Sequence, residues 1–467
     1  VHQTPRKRNR RIPAALLIFS TALGIRLAHL VSLAGQEWFF KVLLSDSFVY
    51  VRNAFSILRG EFLGQRVFYQ DPFYPLFLAG FFKVNGGAVL DVLLFQILLS
   101  SAACLLLARS AEMLFDSPSG CLAGAAAALY PPWIHYDCLV LKTSPTLFLV
   151  SLYLYFAIRA ARRTLGPGPA TLALGMLCLL RGNFLLWIPA HFFFLGIRLA
   201  SPLRSLARQA ALLALLFAPV TCLNFLAGGD FVLLTSQGGQ NFYTGNNPHN
   251  LTGYYLPVPF VRPSALFEKP DFRARAEQLS GKALSPSETS RFWYRQSLRF
   301  LREHPGLFFL NLFRKARVFS DRYEVPDNYD FNVMSRFSML GMLVFFNFPL
   351  LWALALPGAA AGRKTPESGF LLSLLAIYTG SVILFFVYSR YRMPAVPLLC
   401  LFAAHAPVCT ARELRSRRFL PATFRLAAAL VLFTLLSRNP GRLRVDPARM
   451  MEIVSRRMQT ETKRPER

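Results

Sequence analysis

Long apolar runs separated by short basic clusters set the pattern of this chain. Runs near 12–33, 88–107, 121–138, 141–158, 209–226, 337–356, 370–388, 394–410 and 420–436 are of the order of the ~20 residues that cross a bilayer. A further run, 170–197, reads as a hairpin of two short halves that turns near Arg181-Gly182-Asn183. The pattern predicts an all-α polytopic membrane protein with about eleven transmembrane helices.

The polar stretch between the first two runs breaks this rhythm. Over Ser45 to Gly60 a helical period puts Phe48, Val51, Phe55 and Leu58 on one face, with Arg52, Asn53, Ser56 and Arg59 mostly on the others. Such a helix lies flat in a membrane interface, and its first turn carries Asp46. We read Asp46 as a catalytic base, with the alternative that Ser45 or Asp46 caps the helix. The apolar segment 69–80 is too short to cross and reads as a second interfacial helix. There Asp71 before Pro72 suits either an N-cap or a second acid.

From 230 to 336 the composition turns polar and aromatic, predicting an extracytoplasmic domain. Its opening stretch contains Asn241, Tyr243, Asn246 and Asn247, residue types that contact sugars and equally build ordinary turns. Ser285-Pro286-Ser287-Glu288 is a capping box for a helix ending near His304-Pro305, and 306–320 is amphipathic with Arg314, Lys315 and Arg317. The expected organisation is a transmembrane module over 1–229 with its catalytic first outer loop at 34–86, the domain 230–336, terminal helices over 337–437 and a basic tail, 438–467.

Composition narrows the class. Of 467 residues 54% are hydrophobic and 16% charged, with mean hydropathy +0.37, which excludes an ordinary soluble enzyme. The net charge of +28 comes from Lys and Arg beside apolar runs, where membrane topology explains them; no nucleic-acid partner is expected. If the first helix exits outward, Arg109, Arg159, Arg162, Arg163, Arg204, Arg208 and Arg412 fall inside, whereas the basic tail falls outside. Arg26 lies in the outer half of the first run, as a functional charge or one that snorkels to the interface. The seven cysteines show no CxxC spacing and the histidines no HExxH, so neither a bound metal nor a cofactor is expected.

On this topology the outer helix ends gather two acids, Asp46 and Asp71, with Lys142, Arg181, Arg390 and Arg392. Guanidinium groups pair with phosphate and stabilise charge on a departing phosphate, while a carboxylate takes a proton from an acceptor. Arg390, Arg392, Arg181 and Lys142 are therefore the candidate donor-phosphate contacts. Arg390-Tyr391-Arg392-Met393-Pro394 also suits a simple positive anchor at a helix end.

The order of Asp46 in an interfacial helix, Asp71-Pro72-Phe73-Tyr74-Pro75, Tyr130-Pro131-Pro132-Trp133, Arg181-Gly182-Asn183 and Arg390-Tyr391-Arg392-Met393-Pro394 resembles the GT-C superfamily. Within it the chain resembles glycosyltransferase family 39, the bacterial branch related to protein O-mannosyltransferases and the lipid A aminoarabinose transferase. The resemblance implies a polyprenyl- or dolichyl-phosphate sugar donor, an inverting displacement and a general base at Asp46. It also implies a glycan, lipid or protein acceptor. Members often carry a carboxylate where this chain has Lys142-Thr143. The valine at position one fits a bacterial alternative start codon, and the expected location is a bacterial inner membrane with the site facing outward. The rival function is a polytopic transporter or lipid-linked sugar flippase, for which the sequence offers neither an internal repeat nor charges at the bilayer midplane.

Overall fold

A computed structural model describes residues 5–35, 42–197, 202–262, 264–362 and 365–437. The basic tail, Arg363, Lys364 and part of the first outer loop lie outside the described residues. The fold is all-α; the β-pairing among the described residues is one isolated bridge, Tyr254 with Val387.

Among the described residues eight helices are long and apolar enough to cross a membrane. They cover Pro13–Ala34, Val89–Leu114, Thr143–Ala161, Pro202–Gly228, Met339–Gly362, Pro366–Leu384, Ser389–Arg415 and Phe419–Ser437. The expected hairpin is present as two short apolar helices, Gly168–Leu180 and Gly182–Gly196. The expected crossing at 121–138 is two helices, Ser117–Leu129 and Pro131–Asp137. Tyr130 between them is extended (ψ 110), because prolines at 131 and 132 cannot continue an incoming helix and disfavour the helical conformation just before them.

Small residues set the closest helix contacts, as expected where lipid tails supply no hydrophobic drive for helices to associate. A Cβ on Gly358 would lie 2.0 Å from the Phe402 carbonyl oxygen, and one on Gly120 would lie 2.7 Å from that of Ala108. Arg26 neither snorkels nor reaches a site. It is fully buried, pairs with Asp137 at 2.7 Å and donates to the carbonyls of Ala22 and Ala128, tying the first helix to the broken one.

Two helices frame the site: α1 (Asp46–Leu58) and α2 (Phe73–Asn85). On α1 the apolar stripe is the exposed face, with Phe48, Phe55 and Leu58 each more than a third exposed. Asp46, Ser47, Tyr50 and Ala54 are buried against the protein. The helix thus turns its polar first turn to the protein and its apolar stripe outward, as an interfacial helix would.

The 230–336 region packs on this face as α3 (Gly238–Gly245), α4 (Ala265–Ser280), α5 (Pro286–Glu303) and α6 (Pro305–Ser320). A small core around Trp293, Phe272, Ala276 and Leu284 holds it together. The capping box forms in full: Glu288 N–H donates to the Ser285 hydroxyl, and Ser285 N–H donates to the Glu288 carboxylate.

Candidate active site

The site begins with a strained turn. The Ser47 N–H closes it on the Leu44 carbonyl at 3.0 Å, and Ser45 takes φ 49, ψ −115, a region that suits glycine in a type II′ turn. Ser45 holds the N-cap position without a side-chain capping bond, and Asp46 follows it inside the helix. Capping therefore does not account for either residue. Asp46 instead accepts from the Gln70 amide at 2.9 Å and pairs with Arg390 at 2.6 Å. Burial pushes its carboxyl up, but Arg390 and Gln70 outweigh that and hold it below the ordinary carboxylate range. Asp46 is thus held ionised, as a base requires.

Arg390 is nearly buried and shared. It also pairs with Asp327, and both Arg390 and Arg181 lie over the Tyr391 ring, at 5.0 and 5.4 Å. Burial raises the Asp327 carboxyl to about 6, against the pull of Arg390 and with a push from Asp46. On α4, burial and the Asp46 charge raise Glu268 to about 7.

Asp71 does not cap α2. The N-cap position is Pro72 without a side-chain bond, and the Asp71 carboxylate accepts from the Gly182 N–H at 3.1 Å and pairs with Lys142. Arg181 donates to Thr143 and to the Arg390 carbonyl, while its Nε is buried without a hydrogen-bond partner. Asp71, Lys142 and Arg181 line a cavity of about 530 Å³ whose other walls include Leu185, Val382, Phe385 and Tyr391. Asn241 also lines it.

Four expected contacts are placed elsewhere. Arg392 is fully buried away from the cavity: it pairs with Glu324 at 2.7 Å, donates to the carbonyls of Phe319, Asp321 and Tyr323, and stacks on Phe348. It clamps the 319–324 segment rather than a phosphate. Asn246 donates to the Phe242 and Leu384 carbonyls and accepts from Lys315, and Asn247 donates to the Tyr243 and Thr244 carbonyls. Tyr243 packs on Trp293, 4.5 Å between ring centroids. These three residues hold the 230–336 region together and do not line the cavity.

Gln70, Asp327, Glu268 and Tyr391 escaped the sequence reading. One signal was available: Asp321, Glu324, Asp327 and Asp330 recur every third residue in a chain with only 24 acids, just before the last spans.

Residues 70–225 match the family profile described as dolichyl-phosphate-mannose-protein mannosyltransferase. The match includes Gln70, Asp71, Lys142 and Arg181, and stops short of Asp46 and Arg390 at either end. The apo oligosaccharyltransferase of Archaeoglobus fulgidus aligns at a TM-score of 0.50 with 13% identity, covering 97% of this chain and 60% of that one. A second structure of the Archaeoglobus fulgidus enzyme AglB, with an inhibitory peptide and a dolichol-phosphate, aligns at 0.46 with 14% identity, covering 93% and 56%. The chain therefore spans about 60% of the length of the solved structure it matches. Among curated proteins none matches the chain. The fold is thus like that of the oligosaccharyltransferase, and the profile resemblance covers residues 70–225.

Proposed function

We propose that the protein transfers a sugar from a polyprenyl- or dolichyl-phosphate donor to a hydroxyl or amine acceptor on the outer side of the membrane. The observation that carries this reading is Arg181. Its guanidinium lines the cavity, has no acid partner among the described residues, and leaves a buried Nε–H unused. A buried cation of that kind suits an anion, and the apolar walls beside it suit the first isoprene units of a lipid.

In the reaction, the donor phosphate lies against Arg181 and Lys142. The acceptor oxygen or nitrogen forms its bond to the sugar carbon from the face opposite the phosphate, so the configuration inverts. The carbon–oxygen bond to phosphate breaks, its electron pair stays on the polyprenyl phosphate, and the two cations stabilise the charge that develops. Asp46 takes the acceptor's proton. Arg390 and Gln70 keep that carboxylate ionised and aimed, which makes them positioning residues.

The basic clusters at the opposite helix ends, including Arg412 paired with Asp116 at 2.8 Å, support a cytoplasmic face there. The site then faces the periplasm of a bacterial inner membrane. The test is turnover of a panel of polyprenyl monophosphate sugars by the purified protein in liposomes. Transfer from one of them, with its KM raised in Arg181→Gln, supports the reading; ligand-dependent flux without transfer contradicts it.

A further inference from the structure

A second cavity, about 500 Å³, opens on the outer side. Arg66 and Tyr69 line it from the segment before α2, Lys269 and Arg273 from α4, and Gln240 from α3. Its charges are one-sided. Among the described residues the Lys269 ammonium reaches only a backbone carbonyl, that of Val67 at 3.3 Å, and burial with the nearby Arg273 and Arg66 holds it below the ordinary lysine range. Of the three cations only Arg273 has an acid partner among the described residues, Glu277 at 2.9 Å.

Gln240 supplies an independent observation. It is 2% exposed, and its Oε1 has no hydrogen-bond partner. A buried amide acceptor in a native fold is ordinarily satisfied, so this one is open to a donor from a ligand. Clustered cations call for an oxyanion, and the amide beside them calls for a hydroxyl.

The connection to the donor cavity runs through three consecutive residues. Tyr69 lines the basic cavity, Gln70 donates to Asp46, and Asp71 lines the donor cavity. We propose that the basic cavity holds an acidic sugar of the acceptor, its phosphate or carboxylate against Arg66 and Lys269 and a hydroxyl on Gln240. The inference rests on the transferase reading for the word acceptor, but its test does not.

The test is saturation-transfer NMR on the full chain in a neutral detergent, with glucose 6-phosphate, glucose and inorganic phosphate as probes and no donor present. Glucose 6-phosphate should bind, with glucose and inorganic phosphate displacing it only weakly. The double variant Arg66→Gln/Lys269→Gln should weaken binding by about tenfold or more, as expected for lost hydrogen bonds to a charged group. Gln240→Leu should weaken it as well, and Arg66→Lys/Lys269→Arg should restore it. Equal binding of glucose, equally strong competition by inorganic phosphate, unchanged binding in the double variant, or no binding would each overturn the proposal. Because the assay needs neither donor nor turnover, its failure is distinct from failure of the transferase reading.

Discussion

Arg390 lies 2.6 Å from Asp46, and the same guanidinium is paired with Asp327. One cation thus balances a buried and a half-buried acid almost three hundred residues apart in the chain. Arg390→Met would leave both carboxylates uncompensated, and breaking a buried ion pair from one side costs about 3–5 kcal/mol. The expected result is a large fall in thermal stability in detergent, read by size exclusion after heating.

Arg181 and Arg392 separate site from scaffold. Arg181→Gln should raise the donor KM by about tenfold or more, since it removes hydrogen bonds to a charged phosphate, with little loss of stability. Arg392→Met should do the reverse. It strands Glu324 and frees three backbone carbonyls, so folded yield drops, while the protein that does fold keeps its donor KM. Donor titrations on the two variants check this.

The turn before Asp46 predicts a gain. Ser45→Gly places the residue that favours this φ where serine is strained, and stability should rise by up to ~1 kcal/mol. A measured fall in thermal midpoint would count against the strain.

Glu268 predicts a pH dependence. Its carboxyl is raised from 4.5 to about 7 by burial and by Asp46. The folded state therefore holds this proton more tightly than the unfolded state. The stability it contributes is present below about pH 4.5 and is lost as pH rises through about 7. Glu268→Gln should flatten the decline in thermal midpoint across that window.

Much of the fold was legible because lipid leaves the chain few options. Apolar runs long enough to cross became helices, and the period of Phe48, Phe55 and Leu58 marked a helix with one exposed apolar face, which α1 has. The break at Tyr130 was missed because composition alone continued the run through Pro131 and Pro132. Within the site, Arg181 and Lys142, both noted as helix-end charges, line one cavity together with Asp71. Arg392 misled because two arginines two residues apart on a helical turn point in different directions, so Arg390 reaches Asp46 and Arg392 the carbonyls of Phe319, Asp321 and Tyr323. The periodic acids 321–330 flagged the segment that holds Asp327 but not its partner, and Glu268 carried no local signal: tertiary packing of a distant segment brings each towards Asp46.

The most direct measurement is sugar transfer from a radiolabelled polyprenyl monophosphate donor by wild type and Asp46→Asn, both purified and shown to be folded. Loss of a general base predicts a drop of about 10²–10⁴-fold in turnover, with donor binding retained. A folded Asp46→Asn protein that turns over at the wild-type rate would contradict the assignment of Asp46 as the base.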